Sequence, residues 1–248
     1  MSYQVIRKPI VLTTAVLFHL LLIFHLFFSP VIIVLASWKG IINASFIAFI
    51  LISVLSIFSG RAYCSWFCPG CGIQEMLAVF IKRKARNSKA NNIKYVIFSV
   101  WIGSVITGYI INGFHSVDLS YGMSDITLKR KIILTIGAVM IIVPLTGIFG
   151  RFASCKYVCW QAPFMILGHK LGDFMKISKL RLVTTGAECK NCGSCNRHCP
   201  MNIDVMQQAQ NNNLSHTECI LCGNCIDHCN HKVIRFDFKK KQNEIPKI

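Results

Sequence analysis

Thirteen cysteines lie between Cys64 and Cys229 of this 248-residue chain, spaced in C-x2-C and C-x3-C steps. Thiolates at such spacing form a ligand pattern rather than a disulfide framework. Cys64, Cys68 and Cys71 fall in GRAYCSWFCPGCG, residues 60–72, and Cys155 and Cys159 follow Gly150-Arg151. The other eight make two copies of C-x2-C-x2-C-x3-C: Cys189, Cys192, Cys195 and Cys199, then Cys219, Cys222, Cys225 and Cys229. Three closely spaced thiolates wrap three corners of an iron–sulfur cubane, and a distant fourth closes it. Zinc prefers paired C-x2-C steps around a tetrahedron and suits two triplets-plus-one poorly.

These residues need elements to hold them, and composition indicates which. Hydrophobic residues make up 53% of the chain and charged residues only 15%, against roughly 25% charged in soluble domains. That balance reads as a membrane protein. The net charge of +17 then fits lysines and arginines gathered on the cytoplasmic side, and no nucleic-acid partner is expected. Apolar stretches at 9–35, 41–59, 95–111 and 132–149 are each read as a span. The first is too long for a signal h-region and is read as retained. Basic residues crowd the 60–94 loop and the segment after 149, placing both termini and the cysteine motifs in the cytoplasm.

The chain also repeats itself. Gly60-Arg61 with Cys64 and Cys68 ends one apolar run; Gly150-Arg151 with Cys155 and Cys159 ends another. An amphipathic, basic-flanked stretch suited to a membrane surface follows each. The expected fold class is therefore mainly α. It has a four-helix transmembrane bundle of two repeated hairpins (1–180, with cysteine motifs at 60–72 and 150–160), then an α+β two-cluster ferredoxin-like domain (181–248).

The terminal runs resemble the bacterial two-cluster ferredoxins, although Asn230 stands where the second run often has proline. The resemblance implies that the fourth cysteine serves the other cluster. Cys189, Cys192, Cys195 and Cys229 would hold one [4Fe-4S] cluster, and Cys219, Cys222, Cys225 and Cys199 the second. Over its whole length the chain resembles the NapH-type membrane ferredoxins, including the C-terminal half of NosR. That resemblance implies a bacterial or archaeal cytoplasmic-membrane subunit passing electrons between quinol and a reductase. Its partners would be membrane lipids, quinol, and a ferredoxin-like protein, a cytochrome c or a terminal reductase. The second membrane motif departs from the family by lacking a proline after Cys159, and the first adds Cys71. Four of Cys64, Cys68, Cys71, Cys155 and Cys159 suffice for a third cluster; a thiol redox pair and inert cysteines stay open. Arg61 and Arg151 are candidates for balancing cluster charge, or for anchoring to lipid.

Quinol oxidation requires a proton acceptor near an apolar slot, and intramembrane histidines are candidates. Those are His19 and His25 in the first span, with His115 in the outer loop. Trp38, Trp101 and Tyr109 fit an interfacial belt. The alternatives to an electron-transfer subunit are a copper-reducing assembly factor, for which no Met-rich copper motif is found, and a redox sensor.

Overall fold

The computed structural model describes residues 2–23, 29–86, 88–122, 127–185 and 189–240. The chain is mainly helical. Helix α1 (Tyr3–Ile23), α2 (Pro30–Ser37), strand β1 (Ile41–Ile42), α3 (Ala44–Ser59), α4 (Ala62–Trp66) and α5 (Pro69–Leu77) form the first half. Then come α6 (Ile93–Asn112), β2 (Ser116–Val117), α7 (Leu128–Phe149), a π-helical turn (Ser154–Val158) and α8 (Ala162–Phe174). The C-terminal part contains β3 (Lys179–Thr184), α9 (Ser194–His198), α10 (Val205–Gln210), α11 (Asn224–Asp227) and β4 (Ile234–Lys239).

The apolar stretch 9–35, read as one span, is not one helix. Residues 24–28, and with them His25, lie outside the described residues, and a new helix begins at Pro30. Ser29 is extended (φ −146°, ψ 137°) and its hydroxyl accepts the Val31 N–H at 3.3 Å. Proline at the first helical position cannot continue a preceding helix, so Ser-Pro resets the chain despite unbroken hydropathy. Among the described residues two helices are long and apolar enough to cross a membrane, Lys89–Asn112 and Ile132–Phe149. Ala44–Ser59 is apolar but has only 16 residues. At about 1.5 Å per residue it falls short of a ~30 Å hydrocarbon core.

The repeat is present as packing. Gly60 (φ 56°) and Gly150 (φ 102°) end α3 and α7 with positive φ, each N–H returning four residues, to Ser56 and Thr146 carbonyls. A side chain would strain both turns. Surface helix α5 packs on α1 and α7, while α8 packs on α6 and α3. If α1 corresponds to α6, α3 to α7 and α5 to α8, these are the same two contacts. Each surface helix thus leans on the first helix of its own half and the second helix of the other, which interlocks the halves. Glycines let them approach: a Cβ on Gly72 would lie 2.8 Å from the Val11 carbonyl oxygen, and one on Gly172 2.5 Å from that of Ile57.

On the far side from the cysteines, β1 and β2 pair in parallel, Ile41 with Ser116 and Ile42 with Val117. In the C-terminal part β3 and β4 pair antiparallel from Lys179–Lys239 to Thr184–Ile234, closing the segment that contains both cysteine runs. One continuous core joins the two parts. It contains Val11, Phe152 and Met165 from the first, Leu182, Ile220 and Val233 from the second, and cysteines from both.

Candidate iron–sulfur sites

All thirteen thiols are free, and they fall into three groups. Within the C-terminal part, one cavity is lined by Cys199, Cys219, Cys222 and Cys225 with Met201 and Leu214 among its apolar walls. A second is lined by Cys189, Cys192, Cys195 and Cys229, with Met206 and Val233. Each cavity takes three cysteines from one run and one from the other. Burial pushes the Cys222 thiol up to about 12 and Cys219 to about 11. Thiols so placed keep their protons unless a metal replaces them.

The third group draws on both repeats. Cys64 sits in α4, Cys68 caps α5 and Cys71 lies in its first turn, whereas Cys155 belongs to the π-helical turn and Cys159 ends it. These elements are brought together by the interlocked surface helices. The Cys68 thiol feels Cys155, Cys64 and Cys159, and the Cys159 thiol, pushed up to about 12 by burial, feels Cys155 and Cys64. Cys71 is hydrogen-bonded to Cys155, holding the latter below the ordinary thiol range while itself rising. Gln74, 1% exposed, donates its amide N–H to Cys155 Sγ at 2.8 Å and accepts the Ser154 N–H at 3.2 Å.

Buried cations surround these thiols. Arg7, Arg61, Lys94 and Lys156 are at most 2% exposed. Arg7 pairs with Glu75 at 2.9 Å and its charge reaches Cys222 and Cys71. Arg61 pairs with Glu218 at 2.8 Å and faces Cys64 and Cys159. Lys94 shares Glu218. Lys156 donates to the Met201 carbonyl at 2.9 Å and faces Cys199. A buried cation is costly unless compensated, and the whole chain has only ten acidic residues. Thiolate-ligated iron–sulfur clusters are anionic, so this donor set and charge arrangement fit them. Among the described residues no three of His, Cys, Asp and Glu close on one point as ligands of a single ion do; the two C-terminal groups of thiols instead line cavities.

The groups touch one another. Ser65 donates to the Ile220 carbonyl at 2.6 Å, Trp66 to that of Leu221 at 3.2 Å, and Gln4 to that of Cys222 at 2.7 Å. Thus α1 and α4 clamp the 219–222 loop, and the Cys199/Cys219/Cys222/Cys225 cavity lies nearest the five-thiol group.

The remaining sequence candidates are scattered. Arg151 donates its backbone N–H to the Arg83 carbonyl at 2.8 Å and bridges Lys84 in an extended pair, so the repeated arginines have unlike surroundings. His19 bonds its own helix, Nδ1 to the Ala15 carbonyl at 2.6 Å. His115 is exposed beside β2, its backbone N–H on Gly40. Trp101 packs on Phe49 and Trp160, centroids 5.5 and 4.8 Å away, and donates to the Pro30 carbonyl. Sequence reading missed Gln74, Glu218 and Lys94. Gln74 lies one helical turn after Cys71, and Glu218 directly precedes Cys219, so both had a positional signal; Lys94 had none beyond its place at a helix foot.

Comparison with known families agrees with this geometry. A 4Fe-4S binding domain matches twice, over residues 44–88 and 132–177, once per repeat. A 4Fe-4S dicluster domain matches residues 188–234. The cofactors are therefore [4Fe-4S] clusters. Among similar proteins is the "Putative electron transport protein YccM" of Escherichia coli, 24% identical over 174 residues, 64% of this chain. The chain spans 46% of that relative's length. Two proteins of Methanocaldococcus jannaschii are also similar. MJ0750 is 24% identical, covering 68% of this chain and 71% of its own; MJ0749 is 26% identical, covering 67% and 62%. No solved structure matches. Family matches and the relative's name together support an iron–sulfur electron-transfer protein.

Proposed function

We propose that the chain is a membrane-bound electron relay of the NapH/NosR type, moving single electrons between the quinol pool and a reductase through three iron–sulfur centres. The observation that carries this is the contact between groups: thiols from both repeats meet in one buried place, joined to the next cysteine site by Ser65, Trp66 and the Arg61–Glu218 pair. Bound clusters supply reversible one-electron change, and the protein supplies thiolates, buried compensating charge and rigid spacing. Cys64, Cys68, Cys155 and Cys159 are the symmetric ligand set for the membrane centre, with Cys71 as a hydrogen-bond partner of Cys155. The crossed sets at the two terminal cavities hold the others.

Membrane placement is supported by apolar side chains turned outward. Ile133 and Met140 on α7 are each 66% exposed, and Phe80 and Phe174, following α5 and within α8, are each 84% exposed. Such contiguous apolar surface marks an interaction with lipid or protein. With Lys82, Arg83, Lys170 and Lys176 beside the surface helices, the cysteine sites face the cytoplasm. The test is anaerobic addition of menaquinol or ubiquinol to cluster-loaded protein in membranes. Bleaching of the visible cluster absorbance is expected. Clusters that dithionite bleaches but neither quinol does would contradict the quinol reading.

A further inference from the structure

The two terminal cluster sites differ in what covers them. The Cys199/Cys219/Cys222/Cys225 site is roofed by α1 and α4 through the bonds from Gln4, Ser65 and Trp66 to the 220–222 carbonyls. Cys222 and Cys225 are 8% and 6% exposed. At the other site Cys192 is exposed, as are Lys190 and Asn191 beside it. Lys190 and His231 line that cavity's mouth. Arg197, also exposed, donates to the Cys192 carbonyl at 3.0 Å, and Lys232 is exposed next to His231. Among the described residues, two nearby carboxylates have internal work. Asp227 accepts from Ser2 Oγ and the Tyr3 and Gln4 N–H groups, and Asp204 caps α10 while accepting from Asn196. One cluster site is therefore internal to the molecule, and the other opens to solvent through a basic rim.

We propose that the Cys189/Cys192/Cys195/Cys229 site is the docking face for an acidic, soluble one-electron carrier protein, steered by Lys190, Arg197 and Lys232. This rests on the electron-relay reading above. Redox encounters are small and short-lived, and opposite charge around the exposed centre raises their on-rate more than their lifetime. One electron passes across the contact. The carrier changes by one oxidation unit and this chain by the opposite one, with no bond made or broken.

Full-length, cluster-loaded protein in lipid nanodiscs is mixed rapidly with a reduced acidic plant-type [2Fe-2S] ferredoxin, and separately with reduced methyl viologen, a small cation. Replacing Lys190→Glu and Lys232→Glu together is expected to slow reduction by the ferredoxin about tenfold or more, and to flatten its salt dependence. Methyl viologen should be no slower, and unchanged paramagnetic signals would certify the variant's clusters. Equal ferredoxin rates in the two proteins would overturn the docking face. So would an unchanged ferredoxin rate with lost binding to phosphatidylglycerol vesicles, which would assign the rim to lipid. If intact wild-type clusters accept electrons from neither reductant, the relay reading fails and this inference with it.

Discussion

At the scale of single residues, the groups that face sulfur set the behaviour of the centres. Hydrogen bonds to cluster sulfurs and nearby positive charge favour the reduced, more negative state and so set the potential. Gln74 is buried, is held at its oxygen by Ser154 and points its N–H at Cys155 Sγ from 2.8 Å. Gln74→Leu, which keeps bulk and removes the donor, should lower the midpoint potential of the membrane centre while leaving iron content unchanged. A redox titration followed by paramagnetic resonance reads both, and an unmoved potential would deny Gln74 this role. His169 gives a second residue-scale expectation. Burial and then Lys179 hold it down to about 4, from 6.5. A histidine depressed in the folded state binds its proton more readily unfolded, so its contribution is full above about pH 6.5 and is lost as pH falls toward 4. The loss amounts to about 3 kcal/mol at most. Asp173 and Glu218 are held low by their cationic partners against the opposing effect of burial, from ordinary values of 3.8 and 4.5. Acid removes their contribution only below that range, so among these three groups the change between pH 7 and pH 5 belongs to His169. Thermal denaturation from pH 7 to pH 5 should therefore show falling stability, with a smaller fall in His169→Gln.

At the scale of elements, the glycine-terminated helices decide whether the two halves present their thiols to one place. A Cβ on Gly150 would lie 2.7 Å from the Arg83 carbonyl oxygen, in rigid backbone. On Gly60 the nearest atom is His169 Nδ1 at 3.1 Å, in a side chain that can yield. Both positions carry positive φ, and a strained backbone costs of order 1–3 kcal/mol. Gly150→Ala should therefore destabilise more than Gly60→Ala, measured by the temperature at which cluster absorbance is lost; the reverse order would mean that the Gly150 turn relaxes freely. Much at this scale was legible in the sequence. The repeated Gly-Arg followed by C-x3-C foretold two matched helix ends because the same local stop recurs in each half. The break at Ser29-Pro30 was carried by two residues whose capping chemistry is plain, yet a hydropathy window averages them away. The missing proline after Cys159 is offset by Pro163, near the N-terminus of α8, so that helix starts at Ala162, two residues later relative to Cys159 than α5 does relative to Cys68. Periodicity within each half cannot show that α5 and α8 exchange partners between halves, because that contact is long-range.

At the scale of the molecule, the terminal cysteine runs were readable because ligand spacing is a local property of the chain. The five-thiol group of the two repeats was readable only in part. Cys71 and Cys155 lie far apart in sequence, and only packing makes them neighbours. The charge distribution was legible as a sum and misleading as a map: several of the lysines and arginines that suggest an inward-facing surface are instead buried between the cluster sites. Arg7, Arg61 and Lys156 join the N-terminal part to the C-terminal cluster part, which makes the molecule one electrostatic unit rather than two separate ones. The proposed relay requires that the two repeats build a third iron–sulfur centre. Counting iron per chain in anaerobically purified protein, with paramagnetic resonance on wild type and on the Cys64→Ser, Cys155→Ser double variant, tests that most directly. About twelve irons in the wild type, falling to about eight with one signal lost in the variant, is the expected result. About eight irons in both, with identical signals, would contradict it.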